Sequence, residues 1–183
     1  MKNEAEILII DDDPNLRKTL SDILRAKGYE TIAAKDGTEG LGLLKQNSYN
    51  LALIDLQLPD ISGLEILNRL KSDHPSTEAI ILTGNATLDS AIEATNKGAF
   101  SYLQKPYEID QLLLHIKRAI EKQQSEKKIL EQSRELQKLN EELKALYEEA
   151  KSSSLHDPLT GLSNRRLLEI QLEKGFEHAK RYG

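Results

Sequence analysis

The 183-residue chain contains no cysteine and no tryptophan, and aromatic residues make up only 4% of it. Without thiols, neither a disulfide framework nor a zinc site built from thiolates is possible, and the absence fits a reducing compartment. The apolar residues are mainly Leu, Ile and Ala. This composition favours helices and buried aliphatic strands.

Basic residues are also fewer than acidic ones. The chain has 25 Lys and Arg residues and 30 Asp and Glu residues, which gives a net charge of -5. Nucleic-acid phosphates are bound by clustered Lys and Arg, so we expect no broad nucleic-acid surface. The first apolar run, Ile7–Ile10, is far too short for a signal peptide or a membrane span. We therefore expect a cytoplasmic protein with no nucleic-acid or membrane partner.

Short apolar runs alternate along the chain with segments suited to helices. The runs that predict strands are Ile7–Ile10, Tyr29–Ala34, Leu51–Ile54, Ala79–Leu82 and Phe100–Leu103. The segments that predict helices are Pro14–Lys27, Gly37–Gln46, Gly63–Asp73 and Thr87–Lys97, with a fifth helix from about Tyr107. Because apolar strands separated by helices are typical of parallel sheets buried on both faces, we predict an α/β fold with a five-stranded, doubly wound parallel sheet.

Punctuating residues support these helix boundaries. Asp13 directly precedes Pro14, a pattern typical of a helix start in which Asp13 is the N-cap. Gly28 and Gly98 follow predicted helix ends, where glycine in the left-handed conformation is a common cap.

A long segment without Gly or Pro, from Glu108 to Lys151, predicts a long C-terminal helix. Its second half carries apolar residues at alternating spacings of three and four, which is typical of a coiled-coil seam. The seam residues are Leu136, Leu139, Leu143, Leu146 and Ala150. An earlier apolar stripe, from Ile109 to Ile120, is out of register with the seam, so we expect a break or stutter near residues 130–135. Ser152–Ser154 is expected to end the helix. We predict that the seam pairs two copies of the chain as a homodimer; the alternative is a solitary charged helix.

Polar and charged side chains follow the predicted strands. Asp11 and Asp12 follow the first strand, Asp55 the third, Thr83 the fourth and Lys105 the fifth. Because parallel strands end at one edge of the sheet, we expect these side chains to converge there. Three carboxylates at close range need a cation, and oxygen ligands of this kind suit Mg²⁺.

This arrangement suits attack of a carboxylate oxygen on a phosphoryl donor, with the Lys105 ammonium and the Thr83 hydroxyl bonding phosphoryl oxygens. Any one acidic residue after a strand is more often a simple helix cap, the role we assign to Asp13. Five such groups at the ends of four strands in one pattern favour a common site.

These residues resemble a known family. Residues 5 to about 121 are similar to the receiver domain of bacterial two-component response regulators. The matching motifs are Ile9-Ile10-Asp11-Asp12, Asp55-Leu56-Gln57-Leu58-Pro59-Asp60-Ile61-Ser62-Gly63, Thr83-Gly84 and Lys105-Pro106. The spacing of Thr83 and Lys105 from Asp55 also fits the family.

The resemblance implies a flavodoxin-like receiver fold and a phosphorelay function in signal transduction. Asp55 would be the phospho-acceptor and a sensor histidine kinase the donor. Mg²⁺ would be held by Asp11, Asp12, Asp55 and the backbone carbonyl of Gln57. The bond between Lys105 and Pro106 would be cis.

The resemblance also implies a switch. Thr83 and Tyr102 would move together on phosphorylation, although Tyr102 could also be an ordinary half-buried strand residue. The fourth and fifth helices and the fifth strand would form the switching surface. Gln57 and Asn85 occupy positions that tune phosphate lifetime in the family.

The final segment carries a second resemblance. His156-Asp157-Pro158-Leu159-Thr160-Gly161-Leu162-Ser163-Asn164-Arg165-Arg166 is similar to the opening of a diguanylate cyclase domain of the GGDEF class. We expect a receiver domain over residues 1–121, a helical coiled-coil linker over 122–154 and the start of a GGDEF-class domain over 155–183. The Gly-Gly-Asp-Glu-Phe motif is absent, so we expect a fragment of a longer cyclase that itself makes no cyclic di-GMP.

Three other functions are alternatives to a phosphorylated input module. The first is a structural dimerisation module with a vestigial acidic pocket, and the second is a stand-alone nucleotide-cyclising enzyme. The third is a flavodoxin-like cofactor binder, which is disfavoured because a flavin phosphate needs backbone amides and hydroxyls where this chain has acids.

Overall fold

A computed structural model of the chain describes residues 5–155 and the single positions 169, 172 and 180. Five parallel strands form one sheet in the order β2-β1-β3-β4-β5. The strands are β1 (Glu6–Ile10), β2 (Glu30–Ala34), β3 (Leu51–Asp55), β4 (Glu78–Thr83) and β5 (Ser101–Gln104). The helices are α1 (Pro14–Ala26), α2 (Gly37–Gln46), α3 (Gly63–Asp73), α4 (Leu88–Asn96) and α5 (Ile109–Leu155). The predicted doubly wound fold with a long C-terminal helix is confirmed, with boundaries that differ by one or two residues in the sheet region.

The helices cover both faces of the sheet, so the central strands are buried on both sides. One core cluster joins alternate strand residues such as Ile9 and Leu53 to α1 and to the first turns of α5. The other joins the intervening strand residues, such as Ile10 and Ile54, to α2, α3 and α4. This two-sided burial explains why the strands read as continuous apolar runs rather than as alternating ones.

The ends of the helices have the predicted caps. The side chain of Asp13 accepts hydrogen bonds from the backbone N–H groups of Asn15 at 2.8 Å and Leu16 at 3.3 Å. Gly28 and Gly98 have φ values of 91° and 85°, which glycine adopts more readily than any residue with a Cβ.

The helix α5 is continuous from Ile109 to Leu155. Its first apolar stripe is buried on the sheet through Leu112, Ile116 and Ile120. The seam leucines from Leu136 to Leu146 are 62–66% exposed in the single chain. The structure contains two compact units, Met1–Lys127 and Lys128–Gly183.

Two local expectations for this helix can be compared with the structure. Of the break or stutter expected near residues 130–135, a break is excluded because the helix is continuous there. A stutter, which shifts the register of the two stripes within an unbroken helix, stays the prediction. The end expected at Ser152–Ser154 falls one residue short of the described end, since the helix includes all three serines and Leu155. The turn and short helix expected after residue 155 lie outside the described residues, apart from the three single positions.

Candidate functional site

Three carboxylates meet at the carboxyl edge of the sheet. Asp55 is the last residue of β3, and Asp11 follows β1, which pairs with β3 through Ile10 and Ile54. One carboxylate oxygen each from Asp11, Asp12 and Asp55 lies within 4.8 Å of the others. Asp11 and Asp55 are only 1% and 6% exposed, whereas Asp12 is open to solvent. The predicted convergence therefore occurs, with one acidic side chain accessible and two covered.

Lys105 supplies the positive charge for this cluster. Its Nζ lies 2.7 Å from Asp11 Oδ2 and 2.6 Å from Asp55 Oδ2. Burial of the ammonium lowers the pKa of Lys105, but its hydrogen bonds to Asp11 and Asp55 outweigh that effect and the net result is a raised pKa. The lysine thus stays charged, and it bridges the two covered carboxylates.

The other oxygen of each covered carboxylate is held by the main chain. Asp55 Oδ1 accepts a hydrogen bond from the N–H of Gln57 at 3.0 Å, and Asp11 Oδ1 accepts one from the N–H of Asp13 at 2.9 Å. Each carboxylate is thus fixed at one oxygen by a backbone amide and at the other by Lys105. Such fixed orientation is what a positioned nucleophile or metal ligand requires.

Thr83 is the last residue of β4 and is fully buried. Its hydroxyl accepts a hydrogen bond from the N–H of Asn85 at 3.2 Å, and its carbonyl accepts one from the N–H of Lys105 at 2.7 Å. The second contact joins the ends of β4 and β5, so Thr83 and Lys105 share one edge of the sheet. The peptide bond between Lys105 and Pro106 is cis.

Tyr102 on β5 is half-buried and is connected to helix α4. Its hydroxyl lies 2.8 Å from Ser90 Oγ. Ser90 and Thr87 form a capping box at the start of α4, in which Thr87 Oγ1 accepts from the N–H of Ser90. In the structure, therefore, the Tyr102 ring is tied to the first turn of α4.

The loop between β3 and α3 passes very close to the acidic cluster. A Cβ placed on Gly63 would lie 2.2 Å from the carbonyl oxygen of Asp55 and 2.8 Å from Leu56 Cα. Gly63 N–H also donates to the carbonyl of Leu56 at 3.0 Å. Only glycine allows α3 to begin so near the end of β3.

Several residues at this edge were not singled out from the sequence. Arg17 Nη1 donates to the backbone carbonyl of Asp11 at 2.6 Å, and Ser90 holds Tyr102. The hydroxyl of Tyr107 is buried, and within the described part of the chain no group hydrogen-bonds it. Burial raises the pKa of Tyr107. None of these contacts has a signal in the sequence, because each depends on how a helix or loop lies against the edge of the sheet.

The donor set of the cluster consists of carboxylate oxygens. Hard divalent cations such as Mg²⁺ prefer such ligands and usually keep several waters, for which the exposed side of Asp12 leaves room. The residues present therefore fit a magnesium ion. Among the described residues, no helix combines the length and apolar character needed to cross a bilayer.

Comparison with known proteins gives a consistent result over the first two thirds of the chain. The family model of the response regulator receiver domain matches residues 7–117. The regulatory protein AtoC of Escherichia coli strain K12 is 35% identical over 123 residues, which are 67% of this chain and 27% of AtoC. The chain thus spans about a quarter of the length of that curated relative.

Solved structures agree with this match. A CheY-like receiver domain from Methanospirillum hungatei JF-1 is 35% identical with a TM-score of 0.66, over 68% of this chain and 99% of that one. A receiver domain from Clostridium thermocellum is 37% identical with a TM-score of 0.63, over 66% of this chain and 97% of that one.

Proposed function

The chain belongs to the response regulator receiver family of two-component systems, and from that premise we propose that Asp55 accepts a phosphoryl group from a sensor histidine kinase in a Mg²⁺-dependent reaction. The observation that carries the proposal is the geometry around Asp55. The carboxylate is covered, is held at Oδ1 by a backbone amide and is bonded at Oδ2 by Lys105. It lies beside two further acids that could share a cation with it.

In this proposal Mg²⁺ would be held by the carboxylates of Asp11, Asp12 and Asp55, with the backbone carbonyl of Gln57 as the further ligand that the family resemblance implies. When bound, the ion neutralises negative charge on the carboxylates and on the incoming phosphoryl oxygens. The chain's own contribution is orientation, because the Gln57 N–H fixes the Asp55 carboxylate before the donor arrives.

The reaction is a phosphoryl transfer between two side chains. An Asp55 carboxylate oxygen attacks the phosphorus of a phosphohistidine, the bond from phosphorus to imidazole nitrogen breaks, and an acyl phosphate forms. The imidazole leaves with its electron pair and remains part of the kinase. Lys105 then donates to one phosphoryl oxygen and the Thr83 hydroxyl to another, which disperses the charge.

The same contacts suggest how the receiver changes state. To bond a phosphoryl oxygen, Lys105 must weaken its present bond to Asp55, and Thr83 must turn its hydroxyl toward the phosphate. Tyr102 would then leave Ser90 and turn inward, so that the surface formed by α4, β5 and α5 changes. Gln57 and Asn85, both exposed beside the site, would set the lifetime of the acyl phosphate by controlling water access.

We propose that helix α5 transmits the phosphorylation signal to an output domain formed by the residues that follow it. The exposed leucines of the seam support pairing of two chains as a parallel coiled coil, because an apolar stripe on a lone helix is unfavourable in water. The His156-Asp157-Pro158-Leu159-Thr160-Gly161 motif supports a GGDEF-class diguanylate cyclase as the output of the whole protein. Phosphorylation would set the pairing of two such domains. The proposed setting is the cytoplasm, where the kinase domain would meet the receiver.

The second candidate is a phosphorylation-independent dimerisation module. The observation that favours it is the same exposed seam, which needs no chemistry at Asp55 in order to pair. It differs from the first proposal in predicting that the oligomeric state and the mass of the chain are indifferent to phosphodonors.

Intact mass spectrometry tests the proposal. The parent chain, incubated with acetyl phosphate and Mg²⁺, is expected to gain one phosphoryl group, and the Asp55→Asn variant none. A sensor kinase purified in its phosphorylated form serves as a second donor. Failure of the parent to gain mass with either donor, while it remains folded, would overturn the receiver chemistry and favour the dimerisation module.

A further inference from the structure

The loop that carries Gln57 is anchored from outside by a carboxylate. Asp60, in the middle of the segment between β3 and α3, accepts three hydrogen bonds from the start of α2. Its Oδ1 accepts from the N–H of Gly37 at 2.9 Å. Its Oδ2 accepts from the N–H of Thr38 at 2.8 Å and from the Thr38 hydroxyl at 2.6 Å. The loop is therefore fixed to a helix that comes more than twenty positions earlier in the chain.

The packing at this contact is close. A Cβ placed on Gly37 would lie 2.9 Å from Ile66 Cδ1, 3.0 Å from Ile61 Cβ and 3.2 Å from Asp60 Oδ1. Glycine at this position lets the helix start approach the loop closely enough for the bond from its N–H. The close approach of α2 to the loop therefore depends on both partners, Gly37 in the helix and Asp60 in the loop.

The charge of Asp60 suits its position. The first turn of a helix presents unpaired N–H groups and a partial positive charge, which favour a carboxylate. The Thr38 hydroxyl, together with the backbone N–H groups of Gly37, Thr38 and Ile61, lowers the pKa of Asp60 below its usual range. Asp60 is therefore an ionised acceptor at physiological pH, as an unperturbed aspartate also is.

Apart from Asp60, the loop is held by partly buried Leu56, Leu58 and Ile61, which pack against the core, and by main-chain hydrogen bonds near its ends. Leu56 N–H donates to the Leu82 carbonyl at 3.0 Å, and Gly63 N–H returns to the Leu56 carbonyl at 3.0 Å. Gln57 itself is exposed, and its N–H bonds the Asp55 side chain. Its carbonyl, the proposed backbone ligand for Mg²⁺, therefore depends on the loop for its position.

We propose that Asp60 is a positioning residue for the cation site, which fixes the loop between β3 and α3 on α2 so that the Gln57 carbonyl is presented to a bound Mg²⁺. The inference rests on the proposed function, because it assumes that the acidic cluster binds Mg²⁺. It adds a residue that touches neither the cation nor the phosphoryl group. Groups that orient a ligand in this way typically change metal affinity by about tenfold or more when removed.

The chain offers a matched control for this idea. Asp36 is the N-cap of the same helix, and its side chain accepts from the N–H of Glu39 at 2.8 Å. Asp36→Ala and Asp60→Ala each remove one carboxylate and one negative charge from the start of α2. Of these two carboxylates, Asp60 is the one that belongs to the loop between β3 and α3.

Thr38→Val provides a milder probe that leaves every charge in place. It removes the hydroxyl that donates to Asp60 Oδ2 and keeps the two backbone donors. If Asp60→Ala does not fold, Thr38→Val still tests the anchor.

The experiment is a calorimetric titration of each variant of the 183-residue chain with MgCl₂ in the absence of any phosphodonor. Asp60→Ala is expected to weaken Mg²⁺ binding by about tenfold and Thr38→Val by about threefold, while Asp36→Ala stays within about twofold of the parent. Acetyl phosphate labelling should show the same order in the Mg²⁺ concentration needed for half-maximal rate. The rate at saturating Mg²⁺ should differ little among the variants.

The outcomes separate this inference from the proposed function. Unchanged Mg²⁺ affinity in Asp60→Ala and Thr38→Val would overturn the positioning role, as would an equal loss in Asp36→Ala. A parent chain that binds no Mg²⁺ would instead overturn the proposed cation site, and the positioning role with it. A parent that binds Mg²⁺ and a selective loss in the two anchor variants would establish the role.

Discussion

The ammonium nitrogen of Lys105 lies 2.6 Å from Asp55 Oδ2, although the two residues are 50 positions apart in the chain. The same nitrogen lies 2.7 Å from Asp11 Oδ2. Lys105 is therefore the counter-charge for two carboxylates that we also assign to the cation. Ammonium and divalent ion neutralise the same acids, so the loss of one should increase dependence on the other.

Replacing Lys105 by Met should make the stability of the receiver depend on Mg²⁺. Without Mg²⁺, the variant leaves covered carboxylates unpaired and should lose about 2 kcal/mol, less than a fully buried pair because Lys105 is 22% exposed. Added Mg²⁺ should restore most of this loss, because a ligand that binds only the folded state stabilises it. Thermal unfolding with EDTA and with Mg²⁺ measures the effect.

Lys122→Met is the control for that experiment. Lys122 also pairs with a covered acid, Glu78, but Glu78 is the first residue of β4 and lies at the opposite end of the sheet from the cluster. The loss of unfolding free energy caused by Lys122→Met should be the same with and without Mg²⁺. An equal Mg²⁺ response in the two variants and the parent would contradict the shared counter-charge.

A methyl group at Gly63 should damage the site, whereas one at Gly42 should not. The Cβ of Gly63→Ala would lie 2.2 Å from the Asp55 carbonyl oxygen, so the backbone must move, at a cost of about 2–3 kcal/mol. In Gly42→Ala, on helix α2, the new Cβ meets nothing within 4 Å, and replacing glycine in a helix should stabilise the protein by up to about 1 kcal/mol. Urea unfolding and acetyl phosphate labelling of both variants measure these effects. Equal unfolding free energies for Gly63→Ala and Gly42→Ala would show that the backbone around Gly63 can move to make room for a methyl group.

The ion pair between Lys122 and Glu78 should produce a loss of stability at high pH. The hydrogen bond that Lys122 Nζ donates to the Glu78 carboxylate raises the pKa of Lys122 above its usual value, and burial opposes that shift only in part. A raised lysine pKa gives a stabilisation that is fully present below the unfolded pKa of about 10.4 and is lost as the pH rises through the folded pKa. Because Lys122 is 48% exposed, the contribution should be only about 0.5–1 kcal/mol.

Comparison of the parent with Lys122→Met isolates that contribution, since all other groups titrate in both. The difference in unfolding free energy should be constant from about pH 7 to 9.5 and should shrink above about pH 10.4. Lys117→Met, which loses an exposed pair with Glu121, serves as the control and should show a difference near zero throughout. If the difference in unfolding free energy between the parent and Lys122→Met instead grew at high pH, the result would contradict a stabilising pair between Lys122 and Glu78.

The coiled-coil proposal predicts that one polar seam residue dissolves the dimer. Leu143 is 66% exposed in the single chain and lies at the middle of the seam. In Leu143→Asp each dimer would lose two buried leucines, together about 3 kcal/mol or more, so association should weaken by about a hundredfold or more. Sedimentation velocity across a concentration series gives the dissociation constant.

Gln137→Asp adds the same charge to the same helix at a position off the seam and should leave association within about threefold of the parent. Its side chain donates to Glu141, which makes it a polar surface position. A parent that is monomeric at high concentration, or equal weakening in both variants, would contradict pairing through the seam.

The core of the site could be predicted from sequence because each group is attached to a strand end. Once the apolar runs are assigned as parallel strands, residues that follow them must share one edge, and Asp11, Asp55, Thr83 and Lys105 do so. The long helix was predicted for a comparable local reason, since strong helix formers fill it without Gly or Pro. Its described end at Leu155 lies one residue past the predicted serines, because serine lowers helix stability less sharply than Gly or Pro does.

The sequence by itself therefore determined the order of strands and helices, the burial of both faces of the sheet and the identity of the converging acids. These depend on periodicity and on short-range spacing, which a linear chain displays. Tertiary structure alone decided that Asp60 binds the start of α2, that Ser90 holds Tyr102 and that Arg17 reaches the Asp11 carbonyl. Such contacts depend on distances between loops and helices that are set only when the two faces of the sheet are packed.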